Sequence, residues 1–170
     1  MIEHIEERMK TWYSMLGFGP FADDYFPPED RTRTIGGLLE VSLDHRDRFV
    51  IFTPTHTGYV RVHIRVFDTE PPEADMTEWE DMAITTIDSP SGNLVPQSSD
   101  AIRIPPDLLP GPGTYGVRVL GRGRDLPQPE RVEETAPDQY LVDIWPAPPE
   151  GVAEQTIIAS EKSKEFDTYM

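Results

Sequence analysis

The chain has 170 residues and a net charge of −16, from 31 acidic and 15 basic side chains. It has no cysteine, which excludes disulfides, thiolate catalysis and zinc fingers, and its acidity opposes direct contact with nucleic-acid phosphates. The length favours one domain with a real core; no apolar run approaches a membrane span and the first residues lack a signal-like apolar core, so a cytoplasmic protein without a membrane partner is expected.

Residues 2 to 16 place Ile2, Ile5, Met9, Trp12 and Leu16 at helical spacing, with Gly17 as a stop, which predicts a short amphipathic helix over 1–17. Residues 18 to 34 read as a loop, with Phe21, Tyr25 and Phe26 as anchors. The period then becomes two. Leu39, Val41 and Leu43 alternate with polar residues, and a polar break leads into Phe49–Phe52, a hairpin signal. The clearest strand runs from Tyr59 to Phe67, with Val60, Val62, Ile64 and Val66 on one face and Arg61, His63 and Arg65 on the other. Further strands are predicted at 82–87, 101–104, 114–120 and 139–145, and 150–170 as a frayed tail or short helix. Eighteen prolines suit short strands and stiff loops better than helices. About seven strands with Pro/Gly turns predict an all-β fold, an antiparallel β-sandwich over 35–146, with an irregular barrel as the alternative.

The charge is not spread evenly. Residues 66 to 102 hold nine acidic residues and no Lys or Arg. The centre, Asp68 to Asp81, has seven acids in fourteen residues. Like charge at that density repels itself unless solvent or a basic partner absorbs it. An aromatic anchor inside a charged rim is the usual make-up of a protein-binding hot spot, and Trp79 lies between Glu78 and Glu80. The candidate partner-binding residues are therefore Asp68, Glu70, Glu73, Asp75, Glu78, Trp79, Glu80 and Asp81. The opposite sign gathers as a stripe of Arg61, His63, Arg65 and Arg118, for which exposed pairing with the chain's own acids, such as Asp143, is the plain explanation, contributing about 0–1 kcal/mol a pair.

Catalytic and cofactor motifs are weak. Gly111, Gly113 and Gly116 spell G-x-G-x-x-G, but Pro112 interrupts the motif and a strand-like TYGVRVL follows where a nucleotide site needs a helix. His4, His45, His56 and His63 show no ligand spacing. The acids around Asp68–Asp75 lack the spacing of a calcium loop. No nucleophile, base and orienting group stand at interpretable spacing, so no enzyme, metal or cofactor is expected.

Three stretches carry a resemblance: FDTEPPEADMTEWED, LLPGPGTYGVRV and QYLVDIWPAP. In this order they resemble the competence-associated inhibitors of a bacterial DNA-entry nuclease, over about residues 59 to 145. The resemblance implies a β-sandwich that binds and neutralises a basic enzyme. The expectation is a non-enzymatic, immunity-type protein that meets a basic partner, a nuclease or toxin, through its acidic loop. The alternative is a calcium- or carbohydrate-binding module using the acids with Trp12, Trp79 and Trp145.

Overall fold

The computed structural model describes residues 1–20, 29–97 and 108–168. Eleven strands and one helix lie among them: β1 (Glu3–Trp12), β2 (Met15–Gly19), β3 (Thr32–Ile35), β4 (Leu39–Ser42), β5 (Phe49–Phe52), β6 (Thr57–Val66), β7 (Asp81–Ser89), β8 (Val95–Gln97), β9 (Gly113–Arg122), β10 (Thr135–Pro146), β11 (Gln155–Ile157) and α1 (Glu161–Thr168). They form one mixed sheet in the order β11-β7-β9-β10-β6-β1-β2-β5-β4-β3, with β8 beside β2. The ends of this order curl together into a nearly closed barrel. Arg33 of β3 pairs with Glu154 next to β11, and the Thr156 side chain packs on Gly36.

The architecture corrects the expected sandwich. There is one sheet, not two, and β6 and β10 pair in parallel, Val62 with Tyr140 and Arg65 with Asp143. The irregular barrel was the better alternative. The strands expected from period two are present as β4, β5, β6, β7, β9 and β10, and β4 with β5 is the expected hairpin. The strand expected at 101–104 and the anchors Phe21, Tyr25 and Phe26 lie outside the described residues. The polar end of the chain holds both β11 and the short helix α1. No helix among the described residues is long and apolar enough to cross a membrane.

The N-terminal helix is also corrected. Residues 3–12 are a strand paired with β6 over its whole length, from Glu3 opposite Val66 to Trp12 opposite Thr57. Non-local pairing outweighs a helical apolar spacing here. The residues facing inward are Glu3, Ile5, Glu7, Met9 and Thr11, so polar residues interrupt the row and blur its period.

Strand β1 turns into β2 through Tyr13 and Ser14, at φ 51° and 60°. Two positive φ values in a two-residue loop are the pattern of a type I′ turn, which favours Asn-Gly. Here the turn is held from outside: the Ser14 N–H donates to the His56 carbonyl at 2.8 Å, and the Thr53 N–H donates to the Ser14 carbonyl at 2.8 Å. The left-handed conformation costs a side-chain-bearing residue about 1–2 kcal/mol, against about 0.5–1 kcal/mol of extra chain entropy for glycine. Ser14→Gly is therefore expected to raise unfolding stability by about 0.5–1 kcal/mol, as read from a urea midpoint at unchanged slope.

The barrel interior is filled by one apolar cluster. It includes Val60, Val62 and Ile64 of β6, Val117 and Val119 of β9, and Tyr140, Val142 and Ile144 of β10. A second, smaller cluster lies on the outer face: Met82, Leu120 and Leu141, from neighbouring positions on β7, β9 and β10. The outer cluster positions the candidate site, because the acidic segment covers it.

Candidate partner-binding face

The acidic segment between β6 and β7 is a cap over the outer face of the sheet. Ala74, Met76 and Trp79 pack on the outer apolar cluster. Pro71 is buried, and the Pro72 carbonyl accepts a hydrogen bond from Arg118 Nη1 at 2.8 Å. The Glu80 N–H donates to the Gly121 carbonyl at 3.0 Å and leads the chain into the β7–β9 pairing. Between these ties the loop closes on itself: Asp75 accepts from the Thr77 N–H at 3.0 Å and from its hydroxyl at 2.7 Å. Those two bonds hold the Asp75 carboxyl below its ordinary value.

The candidate acids separate into two groups. Asp68, Glu70, Glu73, Asp75 and Glu78 are exposed along the cap. Trp79 and Glu80 are half-buried. Asp81 is different. It is fully buried and its carboxylate is used internally. It accepts from the Ala159 N–H at 2.8 Å, the Ser160 N–H at 3.0 Å, the Ser160 hydroxyl at 2.5 Å and Arg124 Nη1 at 3.1 Å. Burial pushes its carboxyl up, but those bonds and the Arg124 charge outweigh it and hold it below the ordinary value. Asp81 is thus no part of the exposed acidic rim.

The basic stripe is the floor beneath the cap. Asp143 of β10 stands opposite both Arg65 of β6 and Arg118 of β9 in register. Arg65 Nε and Nη2 donate to it at 2.7 and 2.9 Å, and Arg118 Nε and Nη2 at 3.0 and 2.6 Å. The expected internal pairing is present, but it is not an exposed one. Asp143 is fully buried and the Arg118 side chain is 6% exposed. Arg61 and His63 lie to the side, 3.8 and 4.0 Å from Glu6. Burial holds His63 below its ordinary value; Glu6 opposes that, and His4, Arg61 and Arg122 reinforce it.

The sequence reading missed Arg122. It continues the outward row Arg118, Leu120, Arg122 on β9, so period two alone could have found it. Its guanidinium lies 4.9 Å from the centre of the Trp79 ring, a cation–π contact, and Nη2 donates to the Gln139 side-chain carbonyl at 3.0 Å. Cap and floor enclose a cleft of about 430 Å³. Glu73, Asp75, Glu78 and Trp79 of the cap line it together with His63 of β6 and Arg122 of β9.

Other candidate chemistry does not assemble among the described residues. Among the described residues no three His, Asp or Glu side chains group in a way that could hold a metal ion. Gly113 begins strand β9, not a helix. Gly116 stands opposite Trp145, whose indole would lie 2.3 Å from any added Cβ. That glycine makes room for an indole. Trp145 is itself buried, Trp79 carries Arg122 on its ring, and Trp12, 49% exposed, meets Tyr13 edge to face.

Two solved structures are similar. One is ComJ of Bacillus subtilis, described as an inhibitor of the DNA-degrading activity of NucA. It matches with a TM-score of 0.54 at 12% identity, over 86% of this chain and 99% of that one. The likeness is one of fold. The other is described as crocagin biosynthetic gene J, with a TM-score of 0.47 and 17% identity, over 85% of this chain and 99% of that one. Neither a scan of protein-family models nor a search of curated proteins finds a match. The resemblance drawn from the sequence motifs thus meets a likeness of fold at low identity.

Proposed function

We propose that this chain is a non-enzymatic inhibitor that captures a basic protein, a nuclease, through the acidic cap. The observation that carries the reading is the docking of the cap. Met76 and Trp79 seat it on an apolar cluster and Arg118 ties its start, so Asp68, Glu70, Glu73, Asp75 and Glu78 form a held rim. A held rim loses less conformational freedom on binding than a free loop. The fold it shares with ComJ supports the same reading. The mechanism is occlusion. Rim carboxylates pair with the Lys and Arg side chains that a nuclease uses to hold phosphate, and the net charge of −16 accelerates the encounter.

The test is capture at low salt from an extract of the source cells. The bound protein is identified by mass spectrometry and assayed for DNA degradation with and without this chain. The variant Glu70→Gln/Glu73→Gln/Asp75→Asn/Glu78→Gln leaves the buried Asp81 untouched. It is expected to associate with the captured nuclease about tenfold more slowly at low salt and to lose most of the salt dependence of the rate. Equal rates for the two proteins remove the cap from the mechanism.

A further inference from the structure

Arg122 is a half-buried cation in the cleft whose partners among the described residues, the Gln139 amide and the Trp79 ring, carry no negative charge. No carboxylate pairs with it among the described residues. Its neighbours on the floor cannot release one. Arg65 and Arg118 together surround the single carboxylate of Asp143, so the floor is short of negative charge by more than Arg122 alone. In a chain of net charge −16, this is a local site of the opposite sign.

A free anion is a poor occupant. It meets the field of the whole acidic protein and then Glu73, Asp75 and Glu78 at the same cleft. An anion carried between cations meets no such barrier, because its flanking charges satisfy the rim while it reaches the floor. We infer that the cleft takes an acidic side chain of the partner, flanked by basic residues, with its carboxylate on Arg122. This rests on the reading of the cap as the partner-binding face and deepens it. The acidic rim supplies attraction and rate. Arg122 supplies discrimination, since a partner that is merely basic leaves this cation unpaired at the interface.

The experiment uses the full chain and two capped peptides, acetyl-Lys-Lys-Gly-Asp-Gly-Lys-Lys-amide and its Asn counterpart. Affinities are measured in parent and variants from the NMR shift of the Trp79 indole N–H, which lines the same cleft, and engagement of Arg122 in the parent from its Nε–H signal. The Asp peptide is expected to bind about fivefold more tightly than the Asn peptide, as a charge-assisted hydrogen bond in a half-open cleft provides. In Arg122→Gln the ratio falls to one while the Asn peptide binds as before. Arg122→Lys keeps part of the ratio.

Equal affinities in the unaltered chain overturn the inference, as does a ratio that survives in Arg122→Gln. Loss of Asn-peptide binding in Arg122→Gln also overturns it, because Arg122 would then support the cap and not recognise a carboxylate. If inorganic phosphate saturates the Arg122 signal at the concentration of the Asp peptide, the tethered occupant is wrong. If neither peptide binds at millimolar concentration, the acidic-rim reading itself fails.

Discussion

Arg124→Met is expected to lower the unfolding free energy by about 3–5 kcal/mol, the cost of leaving one member of a buried ion pair unmatched. Arg124 is among the largest fully buried side chains in the protein. Its guanidinium reaches Asp81 at 3.1 Å, the Phe52 carbonyl at 2.9 Å, the Gly37 carbonyl at 3.4 Å and the Ser163 hydroxyl. It therefore binds β7, the β5 end, the turn before β4 and helix α1 at one point. Methionine fills much of the volume and supplies no donors. The carbonyls lose a partner, and the Asp81 carboxylate loses its counter-charge. The helix depends on the same place: Ser160 caps the Ser163 N–H at 3.1 Å, Asp125 accepts the Glu161 and Lys162 N–H groups at 2.9 Å each, and Phe166 stacks on Phe52.

The same variant should change the pH dependence. Asp81 has a folded pKa below its ordinary 3.8. Its contribution is present above that value and lost as pH falls through the lower folded one. Asp138 has the reverse sign. Burial raises it above 3.8, against hydrogen bonds from Tyr140 and Thr55. Its contribution is present below 3.8 and lost as pH rises through the folded value. Arg124 lowers both groups. Without it, Asp81 loses less on acidification and Asp138 loses more as pH rises. Urea melts at pH 7 and near pH 3 should show a smaller gap between variant and parent in acid. A gap that is constant with pH would mean that packing, not charge, accounts for the loss.

What the sequence made legible follows from how local each signal is. On β6 the inward row Val60, Val62, Ile64, Val66 is wholly aliphatic, and the strand was readable with its faces assigned. On β1 the corresponding row contains Glu3, Glu7 and Thr11, and the remaining apolar residues matched a helix by chance. The parallel pairing of β6 with β10 joins residues far apart in the chain, and no local pattern encodes it. The site shows the same division. Acid density marked the cap, but density cannot tell Glu78 from Asp81. What separates them is the arrival of Ala159 and Ser160 at Asp81 from the other end of the chain. Asp143 and Arg118 were rightly linked, but their burial required the cap above them, which turned an exposed pair into an enclosed one.

That enclosure makes Asp143→Asn the second large prediction, and one that connects stability to the site. The Asp143 carboxylate accepts four charge-assisted hydrogen bonds from two guanidinium groups and is fully buried. Asparagine retains one acceptor oxygen and turns an N–H group toward the cations. A loss of about 3–5 kcal/mol is expected, a large share of a typical total of about 5–15 kcal/mol. The loss should not spread evenly. Arg118 is also the tie to the Pro72 carbonyl, so the cap over 72–80 should open before the barrel does. Hydrogen exchange would register this at the Glu80 N–H, which is bonded to Gly121 across the cap's edge, ahead of the β6 amides. The double variant Asp143→Asn/Arg118→Gln removes one surplus cation and should recover part of the stability but not the tie. Stability and cap order then separate: the double variant melts above the single one, yet its Glu80 amide exchanges as fast. If the double variant protects that amide as the parent does, the cap is held by Met76 and Trp79 alone, and Arg118 is a stability residue without a part in presenting the rim.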